Sequence, residues 1–350
     1  MSTTHDQVNS TQLSTTAVAT TIKPPIFIDA ATLRSTLTHE TLIRHLQAKL
    51  PAAISATQTP LRHSHQTSPS SSLLLMPSWS HSPSLPYVGI KLVTHHTSNS
   101  SLNLPGIHAN YVLFDSTTGQ NLASMDGTQL TLYRTACISA LASLYLSRKD
   151  SQTLVMIGAG ALAPHLIKAH LITRPSITKV VLWNRNLEKA KLLVEMVIGE
   201  GGLGGVSIES KGCLEEVVGE GDIVSCATSS EVALVMGREL KAGAHLDLVG
   251  SYKESMRECD DEAIRRGRVF VDNEAALVEA GELVGAFKRG VVMREEIGGN
   301  LVELVRGDKV GRRDESEITV FKSVGSAVVD LLSAQLVYET CVNDQVHRKP

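Results

Sequence analysis

The feature that most constrains this 350-residue chain is a glycine-rich turn between an apolar run and a helix-like segment. Leu154–Ile157 is continuously apolar, which is typical of a strand buried on both faces. Gly158-Ala159-Gly160 follows directly and completes a GxGxxA match with Ala163. Gly158 allows a tight turn, and Gly160 allows the backbone to approach a pyrophosphate closely. Because the next helix begins here with free N–H groups, the pattern predicts a dinucleotide-binding turn. The candidate phosphate-binding residues run from the turn into the helix: Gly158, Ala159, Gly160, Ala161 and Leu162.

From residue 151 onwards, apolar runs alternate with helix-like segments. The predicted strands are 154–157, 179–183, 206–209, 222–226, 244–249 and 268–272, and the predicted helices are 161–172, 187–198 and 260–267. This alternation predicts an α/β fold, with a Rossmann doubly wound parallel sheet over residues 151–309. Glu200–Gly205 is also rich in glycine, but it follows a helix, so we predict a helix-to-strand connection there.

The residues after the second predicted strand bear on the choice of dinucleotide. An Asp or Glu at this place would bind the ribose 2′-hydroxyl of NAD. The chain instead has Asn184, Arg185 and Asn186, and Arg185 can pair with a 2′-phosphate. NADPH is therefore the favoured cofactor and NADH remains possible, the alternative being an exposed arginine without a role. We also assign Ala227 and Thr228, after the strand at 222–226, to the cofactor site.

The first part of the chain has a different pattern. Residues 1–22 are polar and repetitive, which predicts a disordered N-terminus. Thr32–Leu50 has helical spacing and is followed by Pro51, which predicts the end of the helix. Arg62–Ser72 is a low-complexity segment and is predicted to be a long surface loop.

Short strand-like runs and one long helix follow this loop. The predicted strands are 72–77, 87–94, 109–115 and 121–125, and the helix is 130–147. They predict an α+β substrate-binding and dimerisation domain over residues 23–150. Residues 310–350 are expected to complete this domain, with a helix Ile318–Tyr338 packed back on it.

Composition excludes several classes of function. The formal charge of −3 offers no basic excess for nucleic acid, and no apolar run reaches the roughly 20 residues of a membrane span. The chain starts without the basic and apolar stretches of a secretory signal. Its five scattered cysteines are typical of reduced thiols, so a cytoplasmic location is expected. The histidine pairs His63/His65 and His95/His96 lack a third ligand at useful spacing, so no metal site is predicted.

Three cations of the first domain are candidates for binding an anionic substrate. Lys91 lies within an apolar strand, where a charge is costly unless it is paired or functional. Arg134, near the start of the long helix, can bind a carboxylate with two hydrogen bonds. Arg62 is the third candidate. For each of the three, an ordinary surface charge or structural ion pair remains the alternative.

Several motifs in order resemble the ornithine cyclodeaminase/mu-crystallin family. They are Met76-Pro77, Gly89-Ile90-Lys91-Leu92-Val93-Thr94, Met125-Asp126-Gly127, Arg134-Thr135-Ala136, Gly158-Ala159-Gly160, Trp183-Asn184-Arg185, Gly243-Ala244-His245-Leu246 and Thr319-Val320-Phe321-Lys322-Ser323-Val324-Gly325. The resemblance implies a homodimer and a small substrate with an α-carboxylate beside an amine or imine carbon. It implies that Arg62, Lys91 and Arg134 receive the carboxylate, with Met76 in the substrate site. Lys91 is either a third partner of the carboxylate or the proton donor that keeps an imine protonated. It also implies that Val249, Gly250 and Ser323 lie near the nicotinamide.

Two departures from the family pattern bear on the reaction. Cyclodeaminases carry an Asp where this chain has Tyr252, and a Glu where it has Leu74. Without these carboxylates no base is evident for the amino groups of ornithine. The chain is more similar to the branch that reduces cyclic ketimines, such as Δ1-pyrroline-2-carboxylate reductases. The expected reaction is therefore NAD(P)H-dependent reduction of Δ1-pyrroline-2-carboxylate or Δ1-piperideine-2-carboxylate to L-proline or L-pipecolate. Ornithine cyclodeaminase, alanine dehydrogenase-like activity and an NADPH-bound ligand-binding protein of the mu-crystallin type remain alternatives.

Overall fold

The computed structural model places the strands of the chain in two separate sheets. It describes residues 24–102, 104–201 and 203–347, so the predicted disorder of residues 1–22 lies outside the described residues. Within these ranges no helix combines the length and the apolar character needed to cross a membrane.

The first sheet belongs to the N-terminal domain. Its described strands are β1 (Ile26–Ile28), β2 (Thr57–Gln58), β3 (His63–Ser68), β4 (Ser71–Ser80), β5 (Tyr87–His96), β6 (Ile107–Asp115) and β7 (Asn121–Asp126). They pair in the order β1-β7-β6-β5-β4-β2, with β3 also on β4. Only the β1–β7 pairing is parallel within this sheet of the described chain. The four strands that we predicted are confirmed, with longer bounds.

Helices cover one face of this sheet. They are α1 (Ala30–Thr36), α3 (Gly127–Leu146) and the C-terminal α11 (Ala327–His347), and α2 (His39–Ala56) packs on α3 and α11. Helix α11 contacts β4 and β5, and α3 contacts β5 and β6. On β5 the side chains of Tyr87 and Lys91 point into this covered layer and are buried, whereas Val88 and Ile90 between them are half-buried. This alternation has the period of two expected of a strand.

The second sheet is entirely parallel. Its described strands are β8 (Thr153–Ile157), β9 (Lys179–Trp183), β10 (Ser207–Ser210), β11 (Ile223–Cys226), β12 (His245–Leu248), β13 (Arg268–Val271), β14 (Gly299–Asn300) and β15 (Thr319–Lys322), in the order β10-β9-β8-β11-β12-β15-β13-β14. The helices are α4 (Ala163–Thr173), α5 (Leu187–Gly199), α6 (Leu214–Glu220), α7 (Asp261–Arg266), α8 (Ala276–Glu279), α9 (Gly281–Lys288) and α10 (Leu301–Arg306). The predicted Rossmann fold is confirmed, and the described residues 200–201 and 203–205 lie between α5 and β10, as predicted.

Two predictions in the N-terminal domain are wrong. The predicted helix 32–50 is two helices, because Thr38 caps a new helix and exchanges hydrogen bonds with Thr41. Pro51 lies inside α2 rather than after it. The apolar stripe continues past the proline to the buried Ala53, and this packing offsets the lost backbone hydrogen bond. The predicted loop 62–72 instead forms the β3–β4 hairpin, whose polar edge strand β3 is held by backbone pairing.

The C-terminal prediction also needs correction. The predicted helix Ile318–Tyr338 begins as strand β15, which is buried between β12 and β13 in the parallel sheet. Its first three residues, Thr319–Phe321, are apolar or β-branched, and a short run of this kind does not distinguish strand from buried helix. Within the segment 310–350, β15 joins the Rossmann sheet and contacts α3, and α11 packs on the helices and strands of the N-terminal domain.

Candidate functional site

The predicted cofactor residues gather at one edge of the parallel sheet. Gly158 follows β8, Asn184 follows β9, Ala227 follows β11, Val249 follows β12 and Ser323 follows β15. All these strands are parallel, so their carboxyl ends meet at the same edge. The order of strands reverses between β8 and β11, and open α/β sheets bind their ligands at such a switch point.

The turn after β8 has the backbone that a phosphate turn requires. Gly158 has φ +109°, and a Cβ atom there would lie 2.6 Å from the Ala227 carbonyl oxygen. At Gly160 a Cβ atom would contact no described protein atom, so the protein itself does not demand glycine there. Helix α4 starts without a side-chain cap at Leu162. The Ala163 N–H donates to the Gly160 carbonyl oxygen at 3.0 Å and Pro164 has no N–H, so a phosphate would depend on the N–H groups of residues 160–162 in the turn before the helix.

The residues after β9 are tied to the phosphate turn. The Asn184 side-chain oxygen accepts a hydrogen bond from the Ala159 N–H at 3.3 Å. Asn186 caps α5 by accepting from the N–H groups of Glu188 and Lys189. Arg185 is exposed between these two anchored residues. Its guanidinium is thus free to turn toward the ribose end of a nucleotide.

Two of the three predicted substrate cations meet on one buried carboxylate that sequence reasoning missed. Lys91 Nζ lies 2.7 Å from Asp330 Oδ2, and Arg134 Nε lies 2.9 Å from Asp330 Oδ1. All three side chains are at least nine-tenths buried. Two cations share one carboxylate, so this ion triad holds one uncompensated positive charge. An isolated buried charge is costly, so the triad suits a bound anion.

The triad shifts the pKa values of its members. Burial lowers the pKa of Lys91 to about 8, helped by the charge of Arg134 and opposed by Asp330. Burial alone would raise the pKa of Asp330, but the charges of Arg134 and Lys91 together hold it below its usual value. Lys91 therefore titrates close to neutral pH, where a lysine can exchange a proton with a substrate.

Arg62 lies apart from the triad in a pair that crosses between the domains. Its Nη2 atom lies 2.6 Å from Oε2 of Glu279, the last residue of α8, and both side chains are about three-quarters buried. The positive charge of Arg62 is close enough to lower the pKa of Lys91. Met76, on β4, stands opposite Lys91 in the register of the sheet.

The loop after β15 connects the predicted cofactor site on the parallel sheet with the ion triad on the N-terminal domain. Asp272, at the end of β13, accepts hydrogen bonds from the Ser323 hydroxyl at 2.8 Å and the Gly325 N–H at 2.8 Å. A Cβ atom on Gly325 would lie 2.9 Å from a guanidinium nitrogen of Arg134. Arg134, Ser323 and Gly325 line one recess between the domains. The structure thus brings a predicted substrate residue next to a predicted nicotinamide residue.

A signal for the missed carboxylate was present in the sequence. Asp330 stands among Val328, Val329, Leu331 and Leu332, which is the same kind of apolar setting that identified Lys91. At the two positions where the chain departs from the cyclodeaminase pattern, Tyr252 is exposed and Leu74 is half-buried on β4.

A Rossmann sheet whose ligand edge faces a cationic site on a second domain defines a class of two-domain, dinucleotide-dependent oxidoreductases. The sequence profile of the ornithine cyclodeaminase/mu-crystallin family matches residues 25–345. The chain belongs to this family, as its motifs indicated.

Relatives in several organisms match three-quarters or more of the chain. "Protein SAR DEFICIENT 4" of Arabidopsis thaliana is 58% identical over 316 residues, which cover 90% of this chain and 97% of that protein. A Δ1-pyrroline-2-carboxylate reductase of Colwellia psychrerythraea is 40% identical, covering 76% of this chain and 82% of the relative. A solved structure of Thermococcus litoralis Δ1-pyrroline-2-carboxylate reductase, in complex with NADH and L-proline, has a TM-score of 0.85 and 31% identity. It covers 91% of this chain and 98% of that one.

Proposed function

We propose that this protein is an NAD(P)H-dependent reductase of a cyclic ketimine carboxylate, either Δ1-pyrroline-2-carboxylate or Δ1-piperideine-2-carboxylate. The products are L-proline or L-pipecolate. The observation that carries this proposal is the buried triad of Lys91, Arg134 and Asp330, which holds one uncompensated positive charge beside the loop of Ser323. The names of the relatives from Colwellia psychrerythraea and Thermococcus litoralis support the same substrate class.

In this proposal, Arg134 binds the substrate and Lys91 is the proton donor. A bound dinucleotide would supply the hydride for the C=N carbon, and each amine formed would consume one NAD(P)H and one proton. Arg134 neutralises the substrate carboxylate and orients the imine carbon, an effect that can contribute several kcal/mol. Lys91, with a pKa of about 8, keeps the imine nitrogen protonated. Arg62 is paired with Glu279, so it would have to leave this partner to bind the substrate carboxylate.

The test is NAD(P)H oxidation, followed by absorbance, with each of the two cyclic imines. We expect rapid loss of NADPH with at least one imine and no proline from L-ornithine plus NAD. Proline formed from ornithine, with both imines inert, would mean that Tyr252 and Leu74 do not mark the reductase branch. Dinucleotide binding without turnover of either imine would favour the ligand-binding alternative.

We further propose that NADPH is preferred over NADH, because Arg185 is exposed after β9 and the neighbouring Asn184 and Asn186 carry no charge that repels a 2′-phosphate. Arg185→Ala should lower kcat/KM for NADPH by about tenfold and leave that for NADH nearly unchanged. Arg238→Ala removes another exposed arginine from the same domain and is the control. A wild-type preference for NADH would contradict this choice of cofactor.

A homodimer is the proposed assembly. The face of the first sheet away from the helices carries apolar side chains in register: Leu75 and Leu92, Pro77 and Ile90, and Val112 beside Ile90. All of them are half-buried rather than buried in the single chain. A continuous apolar face of this kind is typical of an interface, and a second copy of the same face is self-complementary.

A further inference from the structure

One carboxylate at the ligand edge of the parallel sheet is fully buried and has no place in the chemistry described above. Glu258 precedes α7, and its Oε1 atom accepts hydrogen bonds from the Thr228 N–H at 2.7 Å and the Thr228 hydroxyl at 2.9 Å. Its Oε2 atom accepts from the Gly250 N–H at 2.8 Å and the Ser251 N–H at 3.4 Å. These four donors come from two loops, so a single side chain joins both.

The two joined loops follow adjacent strands. Thr228 lies after β11 and Gly250 after β12, and these strands pair in parallel. The loops are also in direct contact, since a Cβ atom on Gly250 would lie 2.0 Å from the Thr228 carbonyl oxygen. Both loops carry residues assigned to the cofactor site. A change at Glu258 therefore affects both of these cofactor-site loops at once.

A buried hydrogen bond and a buried ion pair, both made by Glu282, connect Glu258 to the loop after β15. Glu282, at the start of α9, accepts a hydrogen bond from the Glu258 backbone N–H at 2.7 Å. Its other carboxylate oxygen lies 3.7 Å from Nζ of Lys322, the residue before Ser323. Both side chains are fully buried. The network therefore reaches three of the loops that surround the dinucleotide.

We propose that Glu258 is a positioning residue for the dinucleotide, whose ionised carboxylate holds the loops of Thr228 and Gly250 in the geometry that binds the cofactor. This inference rests on the dinucleotide site of the proposed function. Every hydrogen-bond partner of its side chain is an N–H or O–H donor. Protonation turns one acceptor oxygen into a donor, which loses a hydrogen bond to at least one loop.

The charge state of Glu258 changes within the physiological range. Burial raises its pKa to about 7, helped by Glu282 and opposed by Lys322. Glu282 on α9 and Lys322 on β15 are the charged groups that face it, and the neighbouring thiols Cys226 and Cys259 stay neutral because burial raises their pKa. We therefore expect the affinity for NADH to fall as the pH is lowered through about 7.

The test uses NADH, which lacks a 2′-phosphate, and measures its Kd by fluorescence titration without substrate. Glu258→Gln places an amide N–H against one of the donors and should raise the Kd about tenfold or more. It should also remove the dependence on pH. Asp222→Asn is the matched control: Asp222 is a buried carboxylate that accepts two backbone N–H bonds at the opposite end of the same sheet. It should lower the Tm and leave the Kd unchanged.

The outcomes separate the inference from the proposed function. If Glu258→Gln lowers the Tm but binds NADH as tightly as the wild type, its role is structural and the inference is overturned. If the variant cannot be obtained folded, the wild-type titration decides, and a Kd that stays constant from about pH 6 to about pH 8 overturns the inference. If the wild type itself binds neither NADH nor NADPH, the proposed function fails instead.

Discussion

Asp330 shows how one residue can support two others. Its substitution Asp330→Asn leaves Lys91 and Arg134 buried without a counter-charge. Removing one partner of a buried ion cluster costs about 3 kcal/mol or more, so we expect a loss of this size in the free energy of unfolding. Urea unfolding measures it.

A surface ion pair provides the control for this prediction. Lys168 and Glu200 also pair, but the Glu200 side chain is 45% exposed. Glu200→Gln should therefore cost less than about 1 kcal/mol. Equal losses in the two variants would mean that Asp330 does not compensate the two cations.

Lys91 links pH to activity at the residue scale. Because its pKa is about 8 and its protonated form is the active one, kcat/KM for imine reduction should fall as the pH rises above about 8. Lys91→Arg keeps the charge but donates no proton, so kcat should fall by about a hundredfold. A variant with wild-type kcat and no alkaline decline would show that Lys91 serves as a carboxylate partner instead.

The titration of Lys91 should also change the free energy of unfolding, and in the opposite direction to its effect on activity. The unfolded lysine loses its proton near 10.5 and the folded one near 8. Between these values the unfolded chain binds more protons, so the contribution of Lys91 to stability increases as the pH rises through this window. Over the same window the activity falls, and denaturation at several pH values separates the two effects.

At the scale of elements, we expect different effects from alanine substitution of the two glycines in the β8–α4 turn. Gly158→Ala should lower the free energy of unfolding by about 1–3 kcal/mol, because φ is +109° and the Cβ atom meets the Ala227 carbonyl. Gly160→Ala should keep the Tm, since its Cβ atom contacts no described protein atom, but should weaken NADPH binding.

Gly199→Ala is the control for both glycine variants. Gly199 ends helix α5, has open space around its Cβ position and should tolerate alanine with no loss of stability or affinity. Unchanged NADPH affinity in Gly160→Ala would contradict the assignment of the pyrophosphate to this turn.

Elements differ in how far their sequence predicts them. Strand β9 could be predicted to the residue and β8 to within one residue, because each is a largely apolar run between turn signals. Strand β3 could not, because its residues HSHQTS are polar and only pairing with β4 makes them a strand. Strand β15 was assigned to a helix, because its environment between β12 and β13 depends on strands distant in the chain.

The whole molecule should assemble through the apolar face of its first sheet. Ile90→Glu places a charge at the centre of this face, between Pro77 and Val112. We expect the dimer to dissociate into monomers, because burying an unpaired charge opposes association. Light scattering after size exclusion measures the mass of the assembly.

Leu192→Glu is the control for the assembly. Leu192 is an aliphatic residue of α5 that is 63% exposed on the Rossmann domain, and its substitution should leave the dimer intact. A monomeric wild type, or a dimeric Ile90→Glu variant, would place the interface elsewhere or remove it.

The sequence by itself determined the class of fold, the family and the position of the dinucleotide turn, because these depend on local patterns: apolar periodicity, glycine spacing and short motifs. It also singled out Lys91, since a charge within an apolar strand is visible locally. Only the tertiary structure decided which groups compensate that charge. Asp330 lies 239 positions after Lys91 in the numbering, and Glu258 reaches loops after two different strands. Such partners are chosen by the packing of distant elements around a shared buried space, where an unpaired charge is too costly to remain.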